Sequence, residues 1–162
     1  VFRWDKRGTG DSAGGGAGSV LLDTLSAYET AIYEPHIDSN NVVIFAQNEG
    51  TLLPGENYSD FVVVQRPKGV VLMGNMLDEK QILNLDVPIH VLMSKNDWND
   101  WHIYAEKAVD AYNKAYDMDC HYYIAPNTDR RLMYSGGNSF DTGAAQHIEA
   151  WLKVLCPTSA SV

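Results

Sequence analysis

A serine inside a glycine-rich hexapeptide is the first residue of this chain with an obvious chemical use. Residues 10–15 read GDSAGG and fit the pattern G-x-S-x-G, in which a serine on a sharp turn between a strand and a helix acts as a nucleophile. Here a loop with two glycines precedes Ser12, and four glycines follow it within six residues and oppose helix formation. This context favours a turn in which the Ser12 hydroxyl bonds to the local backbone.

Five histidines could act as bases or as metal ligands. His102 is the one that lies near a predicted site loop, five residues after Asp97, and it is a candidate base. The ordinary structural roles of a histidine fit the other four, which are His36, His90, His121 and His147. No pair has metal-ligand spacing with a third ligand nearby, so the sequence predicts no metal site and no cofactor.

The hydrophobic pattern predicts short apolar strands that alternate with amphipathic helices. Strands are expected at 1–4, 42–46, 69–73, 87–93 and 120–125. The run 42–46 lacks polar alternation, which is typical of a strand buried on both faces. Alternating strands and helices predict an α/β fold with a mostly parallel sheet of about five strands and helices on both faces. We expect one domain over residues 1–157 and a flexible tail at 158–162.

In such sheets, functional sites gather at the carboxyl ends of the strands. Here that edge comprises the loops 5–18, 47–50, 74–77, 94–101 and 126–138. Trp98 and Trp101 flank Asn99 and Asp100 in one of them, where they either form a hydrophobic contact surface or fold back over the end of the sheet. Gln47, Glu49, Trp98 and Trp101 are the candidate binding residues, and a small-molecule ligand is expected at this edge.

Four segments together resemble the α/β-hydrolase family. VFRWDKRGTGDS is similar to the strand and loop that read D-K-R-G-x-G-x-S, and NNVVIFAQNEGTLL to the next strand and its nucleophile elbow. LDVPIHVLMSKNDWND resembles the strand and loop that carry the acid of the catalytic triad. HYYIAPNTDRRLM resembles the last strand and the loop that carries the triad histidine. The resemblance extends from Val1 to about Leu155 and places Ser12 at the end of the first loop motif.

The resemblance places Asn48, Asp97 and Arg130 at the three triad positions. An amide has no proton to lose near neutral pH and is no nucleophile, so Asn48 lacks the chemistry of a serine. Arg130 stands where the family has its histidine, and a guanidinium stays protonated and is no general base. Asp97 keeps the acid position, where we predict an ion pair with Arg130.

The resemblance also implies that parts of the family's fold are missing. Members have strands and a helix before the D-K-R-G strand, and that segment supplies one backbone N–H of the oxyanion hole, worth about 3–4 kcal/mol. The short connection between Gly50 and Gly69 leaves no room for a lid domain. If those strands are absent from the natural protein, the apolar strand Val1–Trp4 loses its neighbour. Either it pairs with Val42–Ala46 or a second chain covers it, and we predict a homodimer through this side.

Composition excludes several classes of function. The net charge of −9 disfavours nucleic acids and anionic membranes, because phosphate binding needs clustered basic residues. No apolar run is long enough to cross a membrane, and no signal peptide is visible. Two cysteines without C-x-x-C spacing favour a reducing, cytoplasmic setting.

Two functions follow as hypotheses. The first is an inactive α/β-hydrolase-like domain that binds a ligand or a partner. The alternative is an esterase or acyl hydrolase with a rearranged site, in which Ser12 or another hydroxyl works with His102 and Asp97. A third possibility is a decaying gene product that still folds.

Overall fold

The structure is a computed structural model that describes residues 1–14, 18–97, 100–134 and 137–157. Five helices alternate with four strands along these residues. In chain order they are α1 (Val20–Tyr33), β1 (Val43–Gln47), α2 (Leu52–Val64), β2 (Gly69–Met73), α3 (Glu79–Leu83), β3 (Ile89–Ser94), α4 (Trp101–Ala115), β4 (Cys120–Ala125) and α5 (Thr142–Leu155). Short 3₁₀ turns occupy Ser39–Asn41 and Asn48–Thr51. The predicted tail 158–162 lies outside the described residues.

The four strands form one parallel sheet in the order β1-β2-β3-β4. Each crossover contains a helix, as parallel neighbours require. The α/β class and the parallel sheet were predicted correctly, and β2 and β4 have the predicted bounds.

Helices cover both faces of the sheet, as predicted. One face packs against α2, α3 and α4 in the main core, where Leu72, Ile82, Val91 and Tyr112 are fully buried. Helix α1 extends this layer through Tyr28 and Ile32, which contact Phe61 of α2. The opposite face packs against α5, whose Trp151 and Ala144 contact Val71 and Leu92.

Side-chain caps define where the helices begin. The Ser19 hydroxyl accepts the N–H of Leu22 at the start of α1. Asp78 and Gln81 form a reciprocal capping box on α3. The Asp141 carboxylate accepts the N–H of Ala144 and fixes the start of α5.

Two expectations about strands were wrong. Residues 1–4 form no strand, and Val1, Phe2 and Trp4 are exposed. The described sheet therefore has four strands rather than about five. Strand β1 is not buried on both faces, since the side chain of Phe45 is 51% exposed. Among the described residues β1 pairs with β2 alone. Its apolar composition suits an interior strand, but its position makes it the edge of this sheet.

Candidate functional site

The turn after β1 has the backbone geometry of a strand-to-helix elbow. Asn48 follows the last residue of β1 and has φ +50°, in the left-handed region that a residue other than glycine adopts only at a cost. The 3₁₀ turn Asn48–Thr51 leads directly into α2. Thr51 is fully buried and fixes the turn, because its hydroxyl donates to the Asn48 carbonyl at 2.6 Å and accepts the N–H of Met76 at 3.1 Å.

The elbow meets the loop after β4 across Gly74. A Cβ at Gly74 would lie 2.5 Å from Asn48 Oδ1 and 2.9 Å from the Arg130 carbonyl oxygen. Gly74 also has φ +57°, so both the left-handed backbone and the close approach require glycine. Sequence reasoning missed Gly74, although its place directly after a buried strand was a usable signal.

The predicted ion pair between the acid and base positions is present. Arg130 Nε donates to Asp97 Oδ2 at 3.3 Å. The Asp97 side chain is fully buried, and that of Arg130 is 22% exposed. A buried carboxylate is stable only when charge and hydrogen bonds compensate its desolvation, and Arg130 supplies both.

These contacts bring the three triad positions to one edge of the sheet. The Asn48 side chain and the carbonyl oxygen and Cγ of Arg130 lie beside Gly74, and the Arg130 guanidinium binds Asp97. The groups offered there are an amide, a guanidinium and a carboxylate already engaged by that guanidinium. This set can donate and accept hydrogen bonds, but it contains neither a serine-type nucleophile nor a neutral imidazole base.

Ser12 lies in a compact turn away from any strand end. Its hydroxyl donates to the Asp5 carbonyl at 2.8 Å, and the Asp5 carboxylate accepts the N–H of Asp11 at 3.2 Å. Arg7 ties this loop to α1, because its Nη2 donates to Asp23 Oδ1 at 2.6 Å. No strand precedes Ser12 in residues 1–14, so the elbow context lies at Asn48.

The other predicted site residues have separate surroundings. Gln47 and Glu49 flank Asn48 with exposed side chains. Trp101 begins α4 and packs against the main core, which matches the alternative in which it folds back over the sheet. Trp98 lies outside the described residues. His102, in the first turn of α4, has a buried Nδ1 with no hydrogen-bond partner among the described residues.

A second pair of buried polar groups supports the loop that carries Arg130. The Ser94 hydroxyl, at the end of β3, donates to the Thr128 carbonyl at 2.6 Å. Both residues are buried.

In the described ranges, no three His, Cys, Asp or Glu side chains lie close enough together to hold a metal ion. None of the described helices is both long and apolar enough to span a bilayer.

Comparison with solved structures identifies the fold. Esterase 2 of Thermogutta terrifontis, solved phosphoramylated by tabun, has a TM-score of 0.65 at 11% identity, over 88% of this chain and 66% of its own. The α/β-hydrolase MGS-M1 from a Medee basin deep-sea metagenome has a TM-score of 0.60 at 15% identity, and the match covers 83% of this chain and 64% of MGS-M1. Porphyromonas gingivalis dipeptidyl peptidase 4 has a TM-score of 0.57 at 10% identity, and the match covers 83% of this chain and 22% of the peptidase. No family model and no curated protein matches the chain.

The chain therefore has an α/β-hydrolase-like fold. It spans less than two thirds of the length of each of these three structures. Identities of 10–15% establish the fold alone, so the site must be interpreted from its own residues.

Proposed function

We propose that this α/β-hydrolase-like chain is a non-catalytic binding module. One observation carries the proposal: the elbow position, with its left-handed backbone, holds the amide of Asn48, and its neighbour across Gly74 is the permanently charged Arg130. A serine hydrolase needs a hydroxyl and a neutral base at these places. In this proposal the fold of a hydrolase is kept and the two reacting groups are replaced.

The bound ligand is proposed to be a small polar molecule at the carboxyl edge of the sheet. Arg130 offers a partly exposed cation, and Gln47 and Glu49 offer exposed polar side chains on either side of the elbow. These groups suit recognition by hydrogen bonds and charge.

Reaction with an active-site probe tests the absence of catalysis. We expect no hydrolysis of short p-nitrophenyl esters and no labelling by a fluorophosphonate, because no activated hydroxyl is present. The Ser12→Ala variant should behave identically. Labelling of the wild type that disappears in Ser12→Ala would overturn the proposal and establish the alternative.

The alternative is an esterase or acyl hydrolase that uses Ser12 with His102 and Asp97. Two observations support it: esterase 2 shares the fold, and His102 Nδ1 lacks a hydrogen-bond partner among the described residues. Against it, Ser12 bonds to the backbone of its own loop, and Asp97 is engaged by Arg130.

We also propose a homodimer, through the exposed edge of β1 instead of through Val1–Trp4, because residues 1–4 form no strand. The support comes from β1, which has one neighbouring strand among the described residues and exposes Phe45. An apolar groove of about 640 Å³ beside it is lined by Val43, Ile148 and Leu152. Exposed edges and apolar surface of this kind favour association.

A reducing, cytoplasmic location is the last part of the proposal. Cys120 is buried and Cys156 is partly exposed, and both are free thiols. Burial raises the pKa of the Cys120 thiol to about 12, so this cysteine is an inert core residue.

A further inference from the structure

Three histidines meet where α5 packs on the sheet, outside the candidate site. His90 of β3 lies beside His121 of β4, with ring centroids 6.3 Å apart, and the two are register partners in the sheet. From α5, His147 stacks at 6.2 Å from His90 and Trp151 at 5.7 Å. The imidazole of His90 is thus enclosed by one strand neighbour and two rings of the helix.

His90 is the buried member of this histidine cluster (His90, His121 and His147). It is 1% exposed, and neither ring nitrogen makes a hydrogen bond of good geometry to another described residue, although the backbone of His121 lies close enough to interact with the ring. His121 and His147 are exposed. A neutral imidazole tolerates this apolar stack, but an imidazolium needs water or an anion that the stack excludes.

The groups that face His90 do not compensate a positive charge. From β4 the group is His121, and from α5 it is His147, which itself stacks on Tyr123; β2 presents Val71, the register partner of His90. The nearby carboxylates engage other partners, since Asp119 lies 3.8 Å from His121 and Asp141 accepts from Tyr123. Protonation of His121 or His147 would add repulsion. Burial lowers the pKa of His90 to about 4. The backbone of His121 acts in the opposite direction and raises this pKa in part.

We propose that the histidine cluster is an acid-sensitive latch, which holds α5 on the sheet while His90 is neutral and releases the helix when His90 takes up a proton. Helix α5 suits local release because it covers its face of the sheet without a second described helix beside it. An opened α5 exposes His90 to water, where the ring regains its ordinary proton affinity. The latch does not depend on what the candidate site binds.

Release of α5 would reach the candidate site through hydrogen bonds. Asp141, the N-cap of α5, donates its N–H to the Leu132 carbonyl at 2.8 Å. Leu132 in turn donates its N–H to the Asp129 carbonyl at 2.9 Å, closing the turn that contains Arg130. The latch therefore links acid conditions to the position of the guanidinium that binds Asp97.

Amide hydrogen exchange of the full chain, read by mass spectrometry and corrected for the intrinsic rate with an unfolded control, tests the latch. Between about pH 6.5 and about pH 4, uptake of one proton in the open state raises the opening constant by up to about tenfold per pH unit. We expect the protection of α5 peptides to fall accordingly and that of α4 peptides to fall less. Equal loss in both helices would refute a local latch.

Substitutions identify the titrating group. His90→Phe keeps an aromatic ring in the stack and should remove the pH dependence of α5 exchange, and His90→Leu serves as a second non-titrating variant should the ring not fit. His36→Gln, in an exposed loop, should keep the wild-type dependence. The same slope in the His90 variants as in the wild type would overturn the proposal.

Discussion

At the scale of single residues, the conformation of Asn48 explains why an asparagine can occupy the strand-to-helix turn after β1. The left-handed backbone is costly for most side chains, but asparagine tolerates it better than most other residues that carry a Cβ. The elbow therefore keeps its shape without the hydroxyl that would give it a reaction.

Substitutions at Asn48 measure this backbone strain. Asn48→Gly should raise the free energy of unfolding by up to about 1 kcal/mol, because glycine adopts the left-handed region freely and the buried Oδ1, unpartnered among the described residues, is removed. Asn48→Val should lower it by about 1–2 kcal/mol. Urea unfolding measures both values.

The neighbouring Gln47 provides the matched control. Its backbone is extended, with φ −126°. Gln47→Gly should therefore lower the free energy of unfolding, whereas Asn48→Gly should raise it. A loss of stability in Asn48→Gly equal to that in Gln47→Gly would show that the elbow is unstrained.

The buried Asp97–Arg130 pair should be strongly coupled. Asp97→Asn and Arg130→Gln should each lower the free energy of unfolding by about 2–4 kcal/mol, because each leaves part of a buried charge uncompensated. The loss of unfolding free energy in the double variant should be smaller than the sum of the two single losses, by more than about 1 kcal/mol. Urea unfolding of the four proteins gives the coupling energy.

The exposed pair Arg66–Asp86 is the control for this double-mutant cycle. Its atoms approach to 3.1 Å, but both side chains are about half exposed (53% and 52%), so the coupling should be below about 1 kcal/mol. Equal coupling in the two pairs would mean that burial of Asp97 adds nothing.

At the scale of elements, the start of α5 depends on a single carboxylate. Burial alone would raise the pKa of Asp141, but hydrogen bonds from the Ala144 N–H, Tyr134 and Tyr123 outweigh it and hold the pKa below its usual value. The residue is 2% exposed and serves both as N-cap and as acceptor for the Tyr123 hydroxyl at 2.9 Å.

Asp141→Ala should therefore lower the free energy of unfolding by about 1–3 kcal/mol. Because the folded pKa is depressed, the ionised cap contributes stability above about pH 3.8, and this contribution is lost as the pH falls through the folded pKa. Urea unfolding at several pH values measures the difference in the free energy of unfolding between wild type and Asp141→Asn. This difference should shrink in that acidic range.

Asp78 of α3 is the matched cap for comparison. It is an exposed capping-box residue, and Asp78→Ala should cost about 1 kcal/mol or less. A larger loss for Asp78→Ala than for Asp141→Ala would contradict the weight given to the buried cap.

At the scale of the whole molecule, the proposed homodimer depends on the open edge of β1. Light scattering at high protein concentration should give the mass of a dimer, and Phe45→Lys should shift it toward the monomer because a charge on an edge strand opposes pairing. Val63→Lys, on an exposed position of α2, should leave the mass unchanged. A wild type that is monomeric at every concentration would contradict the proposed interface.

The sequence by itself determined the alternation of strands and helices and the side-chain chemistry available at Asn48 and Arg130. Periodicity decides the former, since a strand such as Gly69–Met73 is apolar wherever it packs. The side-chain type decides the latter, because no fold makes a nucleophile of Asn48 or a base of Arg130.

Only the tertiary structure decided which strand lies at the edge, which polar groups are buried and which distant side chains meet. An apolar run such as Val42–Ala46 does not state how many neighbours it has, so the edge position of β1 was invisible in the sequence. The same holds for His90, whose partners come from β4 and α5. Burial and long-range contacts depend on packing between elements, and no local pattern encodes them.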